Sequence, residues 1–238
     1  MLINEDECSG CKLCFDHCPV GAIAMVEKKA KIDQGTCTEC GNCKRANVCS
    51  EDAFEEIVHE WPRSIRAMFS NTYYEFEETR VTGRGTEEMK TNDVTGRFGP
   101  DDIGFSVDVG RPGVGTRLRE LEKISKAVAK VGVIFEADNP VTSILIKNIK
   151  TGELEPEIRN ENILSAVVEF MVTPDKVVEV VNTLKQVAQS INTVFSVGVI
   201  GRVNEDGSIP VQSLLEAENI YVRPNGKTNL GLGKPLSP

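Results

Sequence analysis

Apolar and polar residues follow two different periods over residues 103–200. Short apolar or alternating stretches predict strands at GFSVDV, VGVIFEA, SAVVEFMV and TVFSVGVIGRV. Between the first two strands, Leu118, Leu121, Ile124 and Val128 recur at helical spacing. A second helix is predicted after the third strand, where Val177, Val181, Leu184 and Ala188 lie on one face. The chain therefore repeats the order strand, helix, strand.

This order predicts an α+β fold in which helices cover one side of an antiparallel sheet, the ferredoxin-like (βαββαβ) plait. In topology alone it resembles ACT-type regulatory domains, so the comparison carries no function. We expect a domain at residues 1–58, a connector at 59–100 with Gly- and Arg-rich loops, the plait domain at 101–222 and an extended tail at 223–238. The connector is rich in aromatic residues that can pack the first domain onto the next.

Two glycine-rich segments offer backbone amides and fixed positive charge, which together bind carboxylates or phosphates. The first spans residues 81–97 and contains VTGR twice, and the second is GRPGVGT at residues 110–116, between a predicted strand and a predicted helix. The candidate anion-binding residues are Arg84, Lys90, Asn92, Arg97, Gly113 and Gly115. Two alternatives remain open: solvated turns with local ion pairs in the first segment, and in the second, glycines that let a strand turn sharply into a helix.

All eight cysteines of the 238-residue chain lie within the first fifty residues, in two runs. Cys8, Cys11, Cys14 and Cys18 have the spacing C-x2-C-x2-C-x3-C and precede Pro19. Cys37, Cys40 and Cys43 repeat the first three positions after 37 − 8 = 29 residues, which indicates an internal duplication. Triplets of this kind leave ligands over in a zinc site, and no signal segment favours disulfides.

Residues 1–58 resemble a bacterial-type two-[4Fe-4S] ferredoxin, in which the remote cysteine of each run binds the other run's cluster. The resemblance implies two [4Fe-4S] clusters. One is held by Cys8, Cys11, Cys14 and Cys49, and the other by Cys37, Cys40, Cys43 and Cys18. The duplicated step predicts a fourth cysteine at 18 + 29 = 47, but Asn47 stands there and Cys49 follows two residues later. We expect the two extra residues to loop out beside one cluster.

Composition narrows the function. A net charge of −9 argues against nucleic acid and anionic membranes, and favours basic redox partner proteins or subunits. No apolar run is long enough for a membrane span. Thiolate clusters suit a cytoplasm, in an organism living with little oxygen. We therefore expect a low-potential electron-transfer subunit of a hetero- or homo-oligomer, without catalytic residues of its own. The alternatives are an oxidoreductase component that binds an anionic substrate, and a redox or ligand sensor with an ACT-like domain.

Overall fold

The computed structural model describes residues 1–77, 79–83, 99, 101–111, 113–202 and 204–224. The candidate residues Arg84, Lys90, Asn92 and Arg97, and most of the expected tail, lie outside these described residues. Within the described part of the chain, no helix has the length and apolar character that crossing a bilayer requires.

Residues 1–58, here called the head, are built from short elements around two cysteine loops. Strand β1 (Leu2–Ile3) pairs with β4 (Phe54–Glu55), and β2 (Ile23–Val26) pairs with β3 (Lys29–Ile32). Helix α1 (Asn42–Arg45) follows the second loop. The head has its own small apolar core, to which the buried cysteines contribute. Elements this short bury too little apolar surface for a hydrophobic core alone to stabilise the head. The groups inside the two cysteine loops therefore contribute to its stability.

The second unit centres on a four-stranded antiparallel sheet. In chain order its strands are β5 (Ile103–Val109), β7 (Ile134–Phe135), β11 (Ala166–Val172) and β12 (Phe195–Ile200). Their order across the sheet is β12-β5-β11-β7, so β5 and β11 are the central pair. Two small pairs flank the sheet, β6 (Thr116–Arg117) with β10 (Asn162–Ile163), and β8 (Ile146–Asn148) with β9 (Glu153–Leu154).

Helix α2 (Ser64–Met68) lies in the segment after the head, and the helices of the second unit are α3 (Leu118–Val131), α4 (Val177–Ala188) and α5 (Pro210–Ala217). On α3 the buried stripe is the one that the sequence predicts. On α4 the buried residues are Val177, Val180, Leu184 and Val187, whereas Ala188 is exposed and Val181 is only half-buried. The predicted stripe on α4 is therefore wrong at Ala188, whereas Val181 packs against the core although it is less buried than its neighbour Val180.

The segment after the head joins the core of the second unit. Ile65, Phe69 and Phe76 are buried in that core, and the rings of Phe69 and Phe76 meet edge to face with centroids 5.4 Å apart. Two other aromatics stay exposed but still bridge distant parts of the chain. The indole of Trp61 donates to Glu157 at 2.7 Å, and the ring of Tyr73 lies 5.1 Å from the guanidinium carbon of Arg45 in the head.

Polar bonds fasten the second cysteine loop to the second unit. Buried Arg66 of α2 donates to the carbonyls of Gln34 and Cys37 at 2.8 and 2.6 Å, and its Nε pairs with Glu161. Asn162 of β10 donates to the carbonyl of Thr36 at 2.7 Å. The side of the head that carries Cys37 therefore faces the second unit.

Candidate iron-sulfur site

The eight cysteines line two separate cavities of the head. Cys18, Cys37, Cys40 and Cys43 line one cavity, here called the second-loop cavity. Cys8, Cys11, Cys14 and Cys49 line the other, here called the first-loop cavity. All eight are free thiols. Each cavity thus brings together three cysteines of one run and the remote cysteine of the other.

The backbone repeats the duplication of the sequence. In the first loop Gly10 and Lys12 have positive φ angles of 74° and 69°, and in the second loop Glu39 and Gly41 have 57° and 71°. These are equivalent positions under the 29-residue step, since 10 + 29 = 39 and 12 + 29 = 41. Left-handed residues at alternate positions turn a short loop back on itself, and so they bring its cysteines around one space.

The remote cysteines have matching surroundings in spite of the slipped spacing. The amide of Ala22 donates to Sγ of Cys18 at 3.1 Å, and the amide of Ala53 donates to Sγ of Cys49 at 3.4 Å. Each donor lies four residues after its cysteine. Asn47, where the duplicated step predicts a cysteine, takes a left-handed φ of 52°. The two extra residues are therefore absorbed before Cys49, which reaches the cavity as Cys18 does.

Burial makes several of these thiols poor acids. It raises the pKa of Cys43 to about 12, with further increases from the neighbouring charges of Cys40, Cys37 and Cys18. Burial likewise raises the pKa of Cys37 to about 11, although the amide of Glu39 opposes it, and burial also raises the pKa of Cys14. Thiols of this kind become thiolates when a metal centre displaces the proton. Among the described residues, no group of three or more His, Cys, Asp or Glu side chains is arranged to hold a single metal ion.

An orphaned polar atom tests whether the second-loop cavity fits an iron-sulfur cluster. Thr38 lines that cavity, its residue is 1% exposed, and its hydroxyl has no hydrogen-bond partner in the described part of the chain. A buried hydroxyl without a partner costs free energy, so a sulfur acceptor in the cavity would satisfy it. Together with four convergent thiols and amides directed at sulfur, the residues fit a [4Fe-4S] cluster.

Comparison with known proteins agrees with this donor set. The family model for the 4Fe-4S dicluster domain matches residues 1–66. Residues 1–66 form a 4Fe-4S dicluster domain. The dicluster domain binds two [4Fe-4S] clusters. The match covers the head and the beginning of the connector, so it does not assign the second unit to a family.

The similar curated proteins share only this domain. The chain is 46% identical over 57 residues to indolepyruvate oxidoreductase subunit IorA of Pyrococcus abyssi, covering 23% of this chain and 8% of that protein. It is 48% identical over 53 residues to one subunit of an ion-translocating oxidoreductase complex of Methanosarcina acetivorans, covering 22% and 19%. It is 45% identical over 47 residues to an iron-sulfur protein of Rhodospirillum rubrum, covering 20% and 24%. The comparison with solved structures returned no match.

The two cavities of the dicluster domain differ in exposure. Cys11 of the first loop is exposed and its neighbour Leu13 is 59% exposed. In the second loop Cys37, Cys40 and Cys43 are all buried. The dicluster domain therefore presents its first loop to solvent, while its second loop lies against the second unit.

A buried charge network lies beside the second loop. Glu39 accepts from Arg63 at 2.6 Å and pairs with the amino group of Met1, and His59 Nε2 lies 3.2 Å from Glu39 Oε1. Burial raises the pKa of Glu39, but bonds from the amino group and Arg63 outweigh it, so the pKa is lowered. Burial lowers the pKa of His59, which keeps its imidazole neutral near pH 7. Sequence reasoning missed this network because its members join only through the fold.

In the glycine-rich turn at residues 110–116, the amide of Gly110 donates to the carbonyl of Val194, and the amides of Val114 and Gly115 donate to the carbonyl of Gly110. A Cβ on Gly115 would lie 3.1 Å from the carbonyl of Ile163 and 3.3 Å from Val20 of the head, whereas Gly113 faces open space. The first amides of α3 also have protein partners, since Leu118 donates to Glu161 and Arg119 donates to Arg159. These contacts provide a packing role for Gly115. Anion binding by Gly113 and Gly115 stays a prediction.

Proposed function

We propose that this protein is an iron-sulfur electron-transfer subunit that passes low-potential electrons within a cytoplasmic redox complex. The observation that carries the proposal is the convergence of four cysteines on each of two cavities in one dicluster domain. Two similar proteins are named as subunits of oxidoreductases, which supports a role inside a larger assembly. The organism is one that lives with little oxygen, and the assembly is a hetero- or homo-oligomer.

We assign the ligands from the cavity linings. Cys8, Cys11, Cys14 and Cys49 hold one cluster, and Cys37, Cys40, Cys43 and Cys18 hold the other. Matching amide bonds to Cys18 and Cys49 support the crossed arrangement. The protein supplies thiolates, directed amides and an apolar surround for each cluster.

The exposed first loop is the surface that a redox partner contacts. Cys11 and Leu13 are exposed there, and an exposed apolar side chain beside a ligand gives a partner a close approach. Exposed Glu5, Asp6 and Glu7 precede the loop in sequence, so a basic partner suits it. Among the described residues, the second unit bonds to the second loop through Asn162, whereas Cys11 and Leu13 of the first loop are exposed.

We propose that the second unit, residues 101–222, is a ferredoxin-like plait that holds the subunit in its complex. The sheet order β12-β5-β11-β7 supports this, because it places the strands fourth, first, third and second in chain order. Helix α3 follows the first strand and α4 follows the third, in the order that the plait requires. Residues 59–100 are the connector and 223–238 the tail.

The test begins with the full chain purified without oxygen. We expect about eight irons per polypeptide and reversible reduction at low potential in a titration monitored by EPR. Capture of the native complex under nitrogen should recover oxidoreductase subunits. Zinc in place of iron, or clusters that do not reduce reversibly, would contradict the proposal.

A further inference from the structure

The two cysteine loops of the dicluster domain are equivalent in sequence but carry different groups around their cavities. Under the 29-residue step Thr38 corresponds to Ser9, since 9 + 29 = 38, and Arg45 corresponds to Asp16, since 16 + 29 = 45. The second loop therefore has a cation where the first has an anion. Its hydroxyl is buried, whereas that of Ser9 is exposed.

Thr38 is placed to donate to the group in the second-loop cavity. Thr38 is a lining residue of that cavity, and its hydroxyl is buried and has no partner among the described residues. A hydroxyl hydrogen in this position stabilises negative charge on sulfur. Ser9 also lines its own cavity, but water reaches it there and can satisfy its hydroxyl.

Arg45 adds a fixed positive charge to the same loop. Its Nη2 donates to the carbonyl of Cys40 at 2.5 Å and to Asn42 Oδ1 at 2.7 Å, while Nη1 donates to Asn71 at 3.1 Å. The guanidinium lies over Tyr73 as well. A Cβ at position 41 would lie 2.5 Å from Nη1, so the guanidinium lies close to the backbone of Gly41, whereas the first loop has Lys12 at the equivalent position.

The charge of Arg45 differs from those of the other arginines near the second loop because, among the described residues, no carboxylate pairs with it. Arg63 pairs with Glu39 and Arg66 pairs with Glu161, so each cation is matched by a carboxylate. Within the described residues Arg45 has only neutral partners, Asn42, Asn71, Tyr73 and a carbonyl. Its field therefore reaches the neighbouring cavity with less cancellation, although partial exposure to solvent weakens it.

We infer that Thr38 and Arg45 raise the reduction potential of the cluster held by Cys37, Cys40, Cys43 and Cys18. Reduction adds one negative charge, which burial alone disfavours, and both residues offset that cost. The electron then rests beside the second unit rather than at the exposed first loop. This inference depends on the proposed electron-transfer function and on the proposed ligand sets.

The experiment is an EPR-monitored potentiometric titration of the anaerobically purified full chain. Thr38→Val keeps the shape and removes the hydroxyl, and Ser9→Ala is its matched control in the first loop. We expect T38V to lower the reduction constant of one cluster at least threefold, which is about 28 mV at 59 mV per decade. S9A should shift the reduction potential of neither cluster by more than half of that amount.

Arg45→Gln tests the charge, and Arg45→Lys tests whether charge alone rescues it. R45Q should lower the reduction constant of the same cluster as T38V does, again by at least threefold. R45K should recover more than half of that shift. The inference is overturned if T38V leaves both potentials unchanged, if T38V and R45Q move different clusters, or if S9A equals T38V. If R45Q does not retain its iron, T38V against S9A decides. Wild-type clusters that fail to reduce reversibly would refute the proposed function itself, before any variant is compared.

Discussion

Arg66 donates to the carbonyl of Cys37 at 2.6 Å, so helix α2, whose Ile65 is buried in the core of the second unit, is bonded to a cysteine loop of the head. The same guanidinium donates to Gln34 and pairs with Glu161. Its side chain is only 7% exposed and that of Glu161 is 14% exposed. One buried cation therefore connects the two units and neutralises a carboxylate that faces the junction.

Replacing Arg66 by alanine should lower the free energy of unfolding by about 3–5 kcal/mol, because it leaves Glu161 buried without its cation. Arg66→Lys should recover only part of the loss, since lysine lacks the planar fork that reaches three acceptors. Urea denaturation of the holo protein, followed by visible absorbance and circular dichroism, measures both.

Arg80→Ala is the control, because Arg80 is 76% exposed and pairs with Glu75 at the surface. Its loss should stay below about 1 kcal/mol. If R66A and R80A lowered the free energy of unfolding equally, Arg66 would not be a structural connection between the units.

Cys49→Ser should abolish one cluster and leave the other, so that iron falls from about eight to about four per chain. The physical reason is that Cys49 completes the first-loop cavity and accepts the Ala53 amide as Cys18 accepts that of Ala22. Iron analysis and EPR measure the change.

The double variant Asn47→Cys with Cys49→Ser places the cysteine where the duplicated step predicts it. We expect no recovery of the lost cluster, because Asn47 has a left-handed backbone and does not line the cavity. Full iron content in the double variant would mean that position 47 reaches the cluster after all.

Gly152→Ala should destabilise the second unit by about 2–4 kcal/mol. A Cβ there would lie 2.2 Å from the carbonyl oxygen of Ser125, and the glycine has a φ of 67°. The hydroxyl of buried Ser125 also donates to the carbonyl of Gly152 at 2.5 Å, so neither side can move without losing that bond.

Gly207→Ala is the matched control. Gly207 also has a positive φ, 83°, but a Cβ there meets nothing within 4 Å. G207A should lower the free energy of unfolding only by the cost of a left-handed alanine, about 1–2 kcal/mol. Thermal unfolding followed by circular dichroism compares the two, and a larger loss in G207A would contradict the steric argument.

Glu120→Gln should destabilise the protein by about 1–3 kcal/mol at pH 7. Burial raises the pKa of Glu120, but bonds from Lys123 and the Asn192 amide outweigh it, so the pKa lies below 4.5. A lowered pKa in the folded state contributes stability above pH 4.5 that is lost as the pH falls through the folded value. The gap between variant and wild type should therefore be constant from pH 8 to pH 5 and shrink below pH 4.5.

Urea denaturation across this pH range, followed by the far-ultraviolet circular dichroism signal of the helices, measures the difference in unfolding free energy between E120Q and the wild type. Glu179→Gln is the control, because Glu179 is exposed on α4 and its loss should stay within about 0.5 kcal/mol at every pH. A gap for E120Q that widens toward acid would reverse the assigned sign.

The cysteine spacing, with the resemblance to two-cluster ferredoxins that it carries, predicted the cofactors, because the cluster ligands within one loop are close together in the sequence. The buried stripe of α3 was predictable for a similar reason, since one face of a helix is set by a 3.6-residue period. On α4 two adjacent valines, Val180 and Val181, satisfied the pattern equally. Only packing decided that Val180 is the more deeply buried of the two.

Tertiary structure alone decided which groups surround each cavity. Thr38 and Arg45 are ordinary residues in the sequence, and their importance comes from burial without a partner and from bonds to Cys40 and Asn71. Arg66 and Asn162 reach the second loop from residues far along the chain. Such contacts depend on how two folded units meet, and this relation has no period or spacing that a sequence can display.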